Sequence, residues 1–337
     1  MASPLQPGTI LRSRYRINKL IGQGGMGAIY QADDLRLEGR QCAIKETAFE
    51  DNSDPATQIQ AQEQFYREAS VLARLDHPNL PKVSDFFTEN GRDYLVMDYV
   101  AGRDLKEMVE EACRQGRFLE ESVILLWMEQ LCDALEYLHS QNPPVLHRDI
   151  KPANIKLTPS GSIKLVDFGL VKLMADEDLR TVTVIQGRGT IQYTPLEQYG
   201  GDTGHTDIRT DIYAVGATMY HLATGQAPVE AKQRFLNPQS FIPPREINPA
   251  LSAQTERAIL KAMQMHPDDR FNSITEFLDA LLLNVELPHP KRAQSRFVGP
   301  ASWPAAVQHN WLLLVVVIVV FALALWVSFH APSISIR

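Results

Sequence analysis

Residues 145–167 read VLHRDIKPANIKLTPSGSIKLVD. Apolar residues alternate around one dense polar group. His147, Arg148, Asp149, Lys151 and Asn154 crowd into a few positions, and Asp167 follows the second apolar run directly. Any one of these residues suits an ordinary turn, but together they ask for a common chemistry.

The gross features narrow that chemistry. With 337 residues, 45% of them hydrophobic, the chain can bury a full core. A formal net charge of -7 offers no global attraction to a phosphate backbone, so nucleic acid is a poor partner. Cys42, Cys113 and Cys132 are odd in number and far apart, which fits reduced thiols rather than a disulfide frame, and no metal-ligand spacing appears. The N-terminal MASPLQPGTILRSRY lacks the apolar region of a secretory signal. Near the other end, residues 311–329 read WLLLVVVIVVFALALWVSF without a charge. A helix rising about 1.5 Å per residue over that length matches a hydrocarbon core, so the composition predicts a transmembrane helix. Lys291, Arg292 and Arg296 precede it and only Arg337 follows, which orients the large N-terminal part to the cytoplasm. The expectation is a single-pass protein of the cell membrane. Its linker is residues 284–310, marked by Pro288, Pro290, Pro300 and Pro304, and its short outer tail is residues 330–337.

Between these limits the pattern changes once. Residues 14–50 alternate polar and apolar with glycine turns, as antiparallel strands do. Residues 58–75 carry Phe65, Ala69, Leu72 and Leu75 at helical spacing, and DYLVMDYV is again strand-like. From LEESVILLWMEQLCDALEYLHSQ onward helical spacing dominates. A small strand-rich lobe is followed by a larger helical one, with no internal repeat.

In the first lobe GQGGMGAIY sets Gly22, Gly24 and Gly27 before Ile29. Glycines at these intervals let backbone N–H groups approach a phosphate, although a plain tight turn has the same composition. A dinucleotide-binding loop would open a helix after its third glycine, whereas AIYQADDL continues as a strand. Lys45 in CAIKE lies mid-strand among apolar neighbours, and a sheltered ammonium there needs an anionic partner. Glu68, on the following helix, is the candidate, with Glu63 the neighbour to exclude.

GQGGMGAIY, CAIKE, Glu68 in FYREASVL, HRDIKPAN, DFG, GTIQYTPLEQY, DIRTDIYAVGATMYHLATG and HPDDR occur in that order across residues 15–283. In this order the chain resembles the eukaryotic-type protein kinases, and among them the membrane-anchored serine/threonine kinases of bacteria. The resemblance implies an α+β, bilobal protein-kinase-like fold behind an N-terminal extension at 1–14. A small antiparallel-sheet lobe would span about 15–98 and a mainly helical lobe about 101–283, with ATP bound between them.

Phosphoryl transfer needs a positioned hydroxyl and neutralised phosphate oxygens, and little covalent work from the protein. Asp149 suits the acceptance of the hydroxyl proton, and Lys151 can reach the transferred phosphate. Asn154 and Asp167 supply hard oxygen ligands for Mg²⁺, or Mn²⁺ in its stead. By resemblance, Ile21, Gly22, Gly24 and Gly27 cover the nucleotide, and Ile29 and Ala43 roof the adenine. Lys45 and Glu68 pair beside the phosphates, Met97 lies against the purine, and Asp98 to Val100 form the hinge. Asp104 is either a ribose contact or a solvated acid. Lys151 follows Asp149 at the interval of serine/threonine kinases, and Thr190 resembles the threonine that closes this site.

The resemblance extends to regulation. Arg148 would receive a phosphothreonine of the loop after DFG, with Thr181 and Thr183 as acceptors, through self-association of two copies. Asp211 would brace the catalytic loop, and Glu197 would pair with Arg270. One departure stands out: TPLEQ puts Pro195 one residue early and Leu196 next to Glu197, which bears on loop packing and substrate preference. The expected partners are protein serine and threonine hydroxyls and the lipid bilayer. A pseudokinase scaffold and a small-molecule kinase are the alternatives, and intact Lys45, Asp149, Asn154 and Asp167 argue against the first.

Overall fold

A computed structural model describes residues 4–24, 27–47, 55–167, 172–173, 191–199 and 206–283, all within one compact unit, Met1–Pro288. Six antiparallel strands open the chain: β1 (Ile10–Leu11), β2 (Tyr15–Gly24), β3 (Gly27–Asp34), β4 (Gln41–Thr47), then, after helix α1 (Pro55–Leu72), β5 (Val83–Glu89) and β6 (Arg92–Asp98). They lie in the order β1-β2-β3-β4-β6-β5. The two-residue side-chain period of a strand divides their apolar residues between two cores. Ala28, Tyr30, Ala32, Cys42, Ile44, Tyr94 and Val96 fill a small cluster on one face. Ala43, Leu95 and Met97 point the other way, into the large cluster shared with the helices. Lys45 lies two residues beyond Ala43 on β4 and so shares its face.

In the glycine hairpin Gly24 pairs with Gly27 and Gly22 with Ile29. Gly27 has φ 138°, and a Cβ there would stand 1.8 Å from the Glu46 carbonyl oxygen. Only glycine lets β3 run this close to β4.

The helical lobe begins with β7 (Arg103–Asp104), α2 (Leu105–Arg114) and α3 (Glu121–His139). Three short elements follow: β8 (Val145–Leu146), β9 (Ile155–Leu157) and β10 (Ile163–Leu165). Beyond β11 (Lys172–Leu173) come α4 (Ile208–Thr224), α5 (Ala231–Leu236), α6 (Pro244–Ile247), α7 (Ala253–Ala262) and α8 (Ile274–Leu282). Helix α4 is buried from Thr210 to Thr224, because it is apolar on nearly every side and other helices surround it. Gly216 makes this possible, since a Cβ there would meet the Ala262 Cβ of α7 at 2.8 Å. The helix ends on Gly225, whose φ of 71° lets its N–H return to the His221 carbonyl.

Among the described residues no helix is long and apolar enough to cross a membrane. This corrects the expectation of a membrane-anchored kinase, together with its single-pass localisation and its bilayer partner. The apolar helices that are described owe their character to packing. The longest, α3, sets Glu129, Asp133 and Glu136 among the buried Trp127, Leu131 and Leu135, as a core helix does. Residues 311–329, with the linker at 284–310 and the tail at 330–337, lie outside the described residues. The bilobal α+β arrangement itself is present.

Candidate active site

The site starts from one buried carboxylate. Asp211, in the first turn of α4, is fully buried and accepts from the backbone N–H of His147 at 2.9 Å and of Arg148 at 2.8 Å. His139 Nε2 lies 3.0 Å from the same carboxylate. Burial pushes the Asp211 carboxyl up, but the hydrogen bond and charge of His139, the charge of His147 and the Arg148 N–H hold it below the usual carboxylate range. The bracing role expected of Asp211 is thus visible in the geometry. It seats the loop after β8, where Arg148 adopts a positive φ of 64°.

That loop presents Asp149. Lys151 Nζ donates to its two carboxylate oxygens at 3.0 and 2.8 Å. Asn154, in the 3-10 turn Pro152–Asn154, donates from Nδ2 to the Asp149 carbonyl at 2.8 Å and to its Oδ2 at 2.9 Å. Three residues from one segment therefore converge, and the Asn154 amide oxygen is left as an acceptor.

Asp167 arrives by the β9–β10 hairpin, in which Ile155 pairs with Leu165. The Val166 N–H bonds the Asn154 carbonyl at 2.8 Å, so Asp167 follows directly beside the loop. Its φ is 66°, and its Oδ1 lies 2.5 Å from Lys45 Nζ. Burial pushes this carboxyl up, and the Lys45 ammonium, by charge and hydrogen bond, overcomes that and holds it low with help from His147 and Lys151.

Across the cleft, Ile29 pairs in register with Lys45 and Ala43 with Met97. Ala43, Met97 and Val100 are buried, Ile29 is half-buried and Ile21 is exposed. Gly22 sits against Ile29, while a Cβ on Gly24 would meet open space. The Asp98 N–H donates to the Lys82 carbonyl at 3.0 Å, and its carboxylate accepts from the Lys82 N–H at 3.2 Å.

Two predicted residues have partners the sequence did not suggest. The ion pair of Lys45 is with Asp167; Glu68 instead accepts from Gln64 at 3.0 Å, and its charge acts on the Arg148 guanidinium. Glu63 pairs with Arg67. Asp104 caps α2: its Oδ1 accepts from the Glu107 N–H at 2.9 Å. The signal was present in the sequence, an aspartate before an amphipathic helix with an acid in its first turn. Thr181, Thr183 and Thr190 lie outside the described residues.

The displaced Pro195 does not disturb the structural ion pair. Arg270 donates to Glu197 through Nη1 at 2.5 Å and Nη2 at 3.0 Å, and also to the carbonyls of Arg209, Gln264 and Met265. A buried guanidinium so fully satisfied is a fixed joint between the 191–199 segment and the helices.

The protein kinase domain family matches residues 15–292. The serine/threonine-protein kinase PknB of Mycobacterium tuberculosis is 31% identical over 293 residues, 84% of this chain and 44% of that protein. A protein named "Probable serine/threonine-protein kinase" from Clostridium acetobutylicum is 33% identical over 283 residues, 81% of this chain and 40% of its own length. The chain thus spans about two fifths of the length of these curated relatives. Among solved structures, the PknI kinase domain of Mycobacterium tuberculosis superposes with a TM-score of 0.63 at 29% identity, covering 82% of this chain and 98% of that one. The structure titled "PpkA-294 apo form" gives 0.64 at 28% identity, covering 83% and 100%. Membership in this family implies the use of ATP with Mg²⁺. With a match running from the first long strand past the last described helix, and with HRDIKPAN folded against Asp167 and Lys45, the chain belongs to the protein kinase domain family.

Proposed function

We propose that this protein transfers the γ-phosphoryl group of ATP to serine and threonine hydroxyls of protein substrates. The observation that carries the reading is the junction of Lys45 with Asp167 at 2.5 Å beside an Asp149 bracketed by Lys151 and Asn154. The donor set fits the nucleotide and its ion. Asp167 and the Asn154 amide oxygen are hard oxygen ligands suited to Mg²⁺, and Mn²⁺ is compatible with the same pair. When bound, the ion supplies neutralisation of the phosphate oxygens.

The chain's own residues do the remainder. Lys45, on a rigid strand, would hold phosphate oxygens by charge. Ile29, Ala43 and Met97 offer an apolar slot for the purine, with Ile21, Gly22, Gly24 and Gly27 above it. The Asp98 N–H is already used in the sheet, so Val100 is the donor the hinge offers to the base. Asp149 orients the attacking hydroxyl and takes its proton, while Lys151 steadies the charge on the transferred group. Glu68 belongs to this site by an exchange of partners toward Lys45 on loading, and Thr181 and Thr183 are its loop acceptors. The domain would run from about residue 15 to 283.

The test uses the full chain with labelled ATP, Mg²⁺ and a generic basic protein. Transfer to serine or threonine that Asp149→Asn and Lys45→Ala each abolish supports the reading. Nucleotide binding without transfer in the unsubstituted protein would sink it in favour of a binding scaffold.

A further inference from the structure

Arg148 holds an awkward position. It stands in the left-handed region with φ 64°, directly before Asp149, and its guanidinium is largely removed from water. Its backbone N–H is taken by Asp211. Among the described residues the Arg148 side chain makes a single hydrogen bond, from Nη2 to the Thr206 hydroxyl. Among the described residues its Nε is buried without an acceptor. Asp211 and Glu68 attract the guanidinium through space, but among the described residues it has no carboxylate at ion-pair distance. Arg148 as a whole is half-buried, and partial burial of a donor-rich cation makes each acceptor it does have consequential, because that acceptor offsets lost hydration.

Thr206 is well anchored to serve. It precedes Asp207, which caps α4 by accepting from the Arg209 N–H at 2.8 Å and also holds the Arg209 guanidinium. Four residues on, Thr210 donates to Glu197. The start of α4 therefore grips the catalytic loop twice: Asp211 takes its backbone and Thr206 takes the Arg148 side chain.

We propose that Thr206 is a positioning residue for phosphoryl transfer, its hydroxyl fixing the Arg148 side chain and thereby the backbone that presents Asp149. The inference rests on the reading of Asp149 given above. Without the hydroxyl, the guanidinium turns to find another acceptor, and the strained residue it belongs to relaxes away from the positive φ that aims Asp149.

Two variants of the full chain test this. Thr206→Val keeps shape and removes the acceptor, and Thr206→Ser restores it. The expected result is a kcat lowered about tenfold in Thr206→Val with KM for ATP within about twofold, and recovery to within about twofold in Thr206→Ser. Amide hydrogen exchange of residues 147–150 should quicken about tenfold in the valine variant alone, with the amides of α7 and α8 unchanged. Wild-type kcat and exchange in Thr206→Val would overturn the proposal. So would a serine variant as impaired as the valine one, or faster exchange throughout the helical lobe, which marks general destabilisation. Should the unsubstituted protein transfer no phosphate, the function reading fails, and the exchange comparison still decides whether Thr206 holds the loop.

Discussion

Each lobe buries one aspartate completely, and the two are treated in opposite ways. Asp211 in the helical lobe receives two backbone N–H groups and the His139 ring, and its carboxyl is held low. Asp93 on β6 receives the Thr88 hydroxyl at 2.5 Å on Oδ1, while Oδ2 has no hydrogen-bond partner among the described residues. Burial pushes its carboxyl up, and the contacts to Thr88 and Gln62 do not offset that. Desolvation acts on both groups and more heavily on Asp211, so the donors and charges aimed at each decide the direction in which its carboxyl moves. The helical lobe keeps its buried charge because the charge builds the catalytic loop. The small lobe has no such loop to build around Asp93.

The largest effect is expected where that loop does its chemistry. Asp149→Asn should lower kcat about 10³-fold with little change in KM for ATP, measured by steady-state transfer to a protein substrate. An unchanged kcat would mean that the effort invested in Asp211 serves the fold alone. Next, Asp211→Ala leaves two N–H groups without their acceptor and should destabilise the protein by about 3 kcal/mol in urea unfolding. A loss no larger than that of a surface substitution would dissolve the contrast between the lobes.

Lys45→Met tests the junction between them. Asp167 is depressed in the folded state, so the stability it contributes is present above the unfolded value of 3.8 and is lost as pH falls through the lower folded value. Removing the ammonium should cost about 1–2 kcal/mol near neutral pH and flatten the acid limb of the stability profile. Unfolding curves across the acid range read both.

The smallest effect carries the opposite sign. Asp93 is raised in the folded state, so its cost is absent below the unfolded value of 3.8 and grows as pH rises from there to the folded value. Asp93→Asn should therefore stabilise the protein by about 1 kcal/mol at neutral pH and leave it unchanged in acid. A destabilised asparagine variant would show that the Thr88 contact outweighs the desolvation.

What the sequence revealed divides along a related line. HRDIKPAN holds its geometry within one loop and turn, so Asp149, Lys151 and Asn154 were readable from local spacing, and the strand period placed Lys45 beside Ala43. The resemblance to the protein kinases also pointed to Asp211 and to the Glu197–Arg270 pair, because the motifs that carry them keep the family's order along the chain. The partner of Lys45 was not readable. Whether its ammonium meets Glu68 or Asp167 depends on how α1 sits relative to the β9–β10 hairpin, and both acids lie at plausible distances along the sequence. The contact of Arg148 with Thr206 spans 58 residues and has no spacing rule behind it. The apolar stretch at 311–329 led to a membrane assignment from composition alone, and the described helices contain no membrane-spanning candidate.

The β9–β10 hairpin has a practical consequence. Its turn is closed by the Thr158 N–H on the Ser162 carbonyl and by the Gly161 N–H on the Thr158 carbonyl, and residues 159–162 are exposed. The strands behind it are locked in register from Ile155–Leu165 to Leu157–Ile163, and Asp167 is tied back at Val166. Extra residues at Ser160 would thus lengthen a loop whose ends are already pinned, at a modest entropic cost. This makes the turn a natural port for an epitope or a fluorophore, where a label would report on the kinase while leaving Asn154 and Asp167 in step.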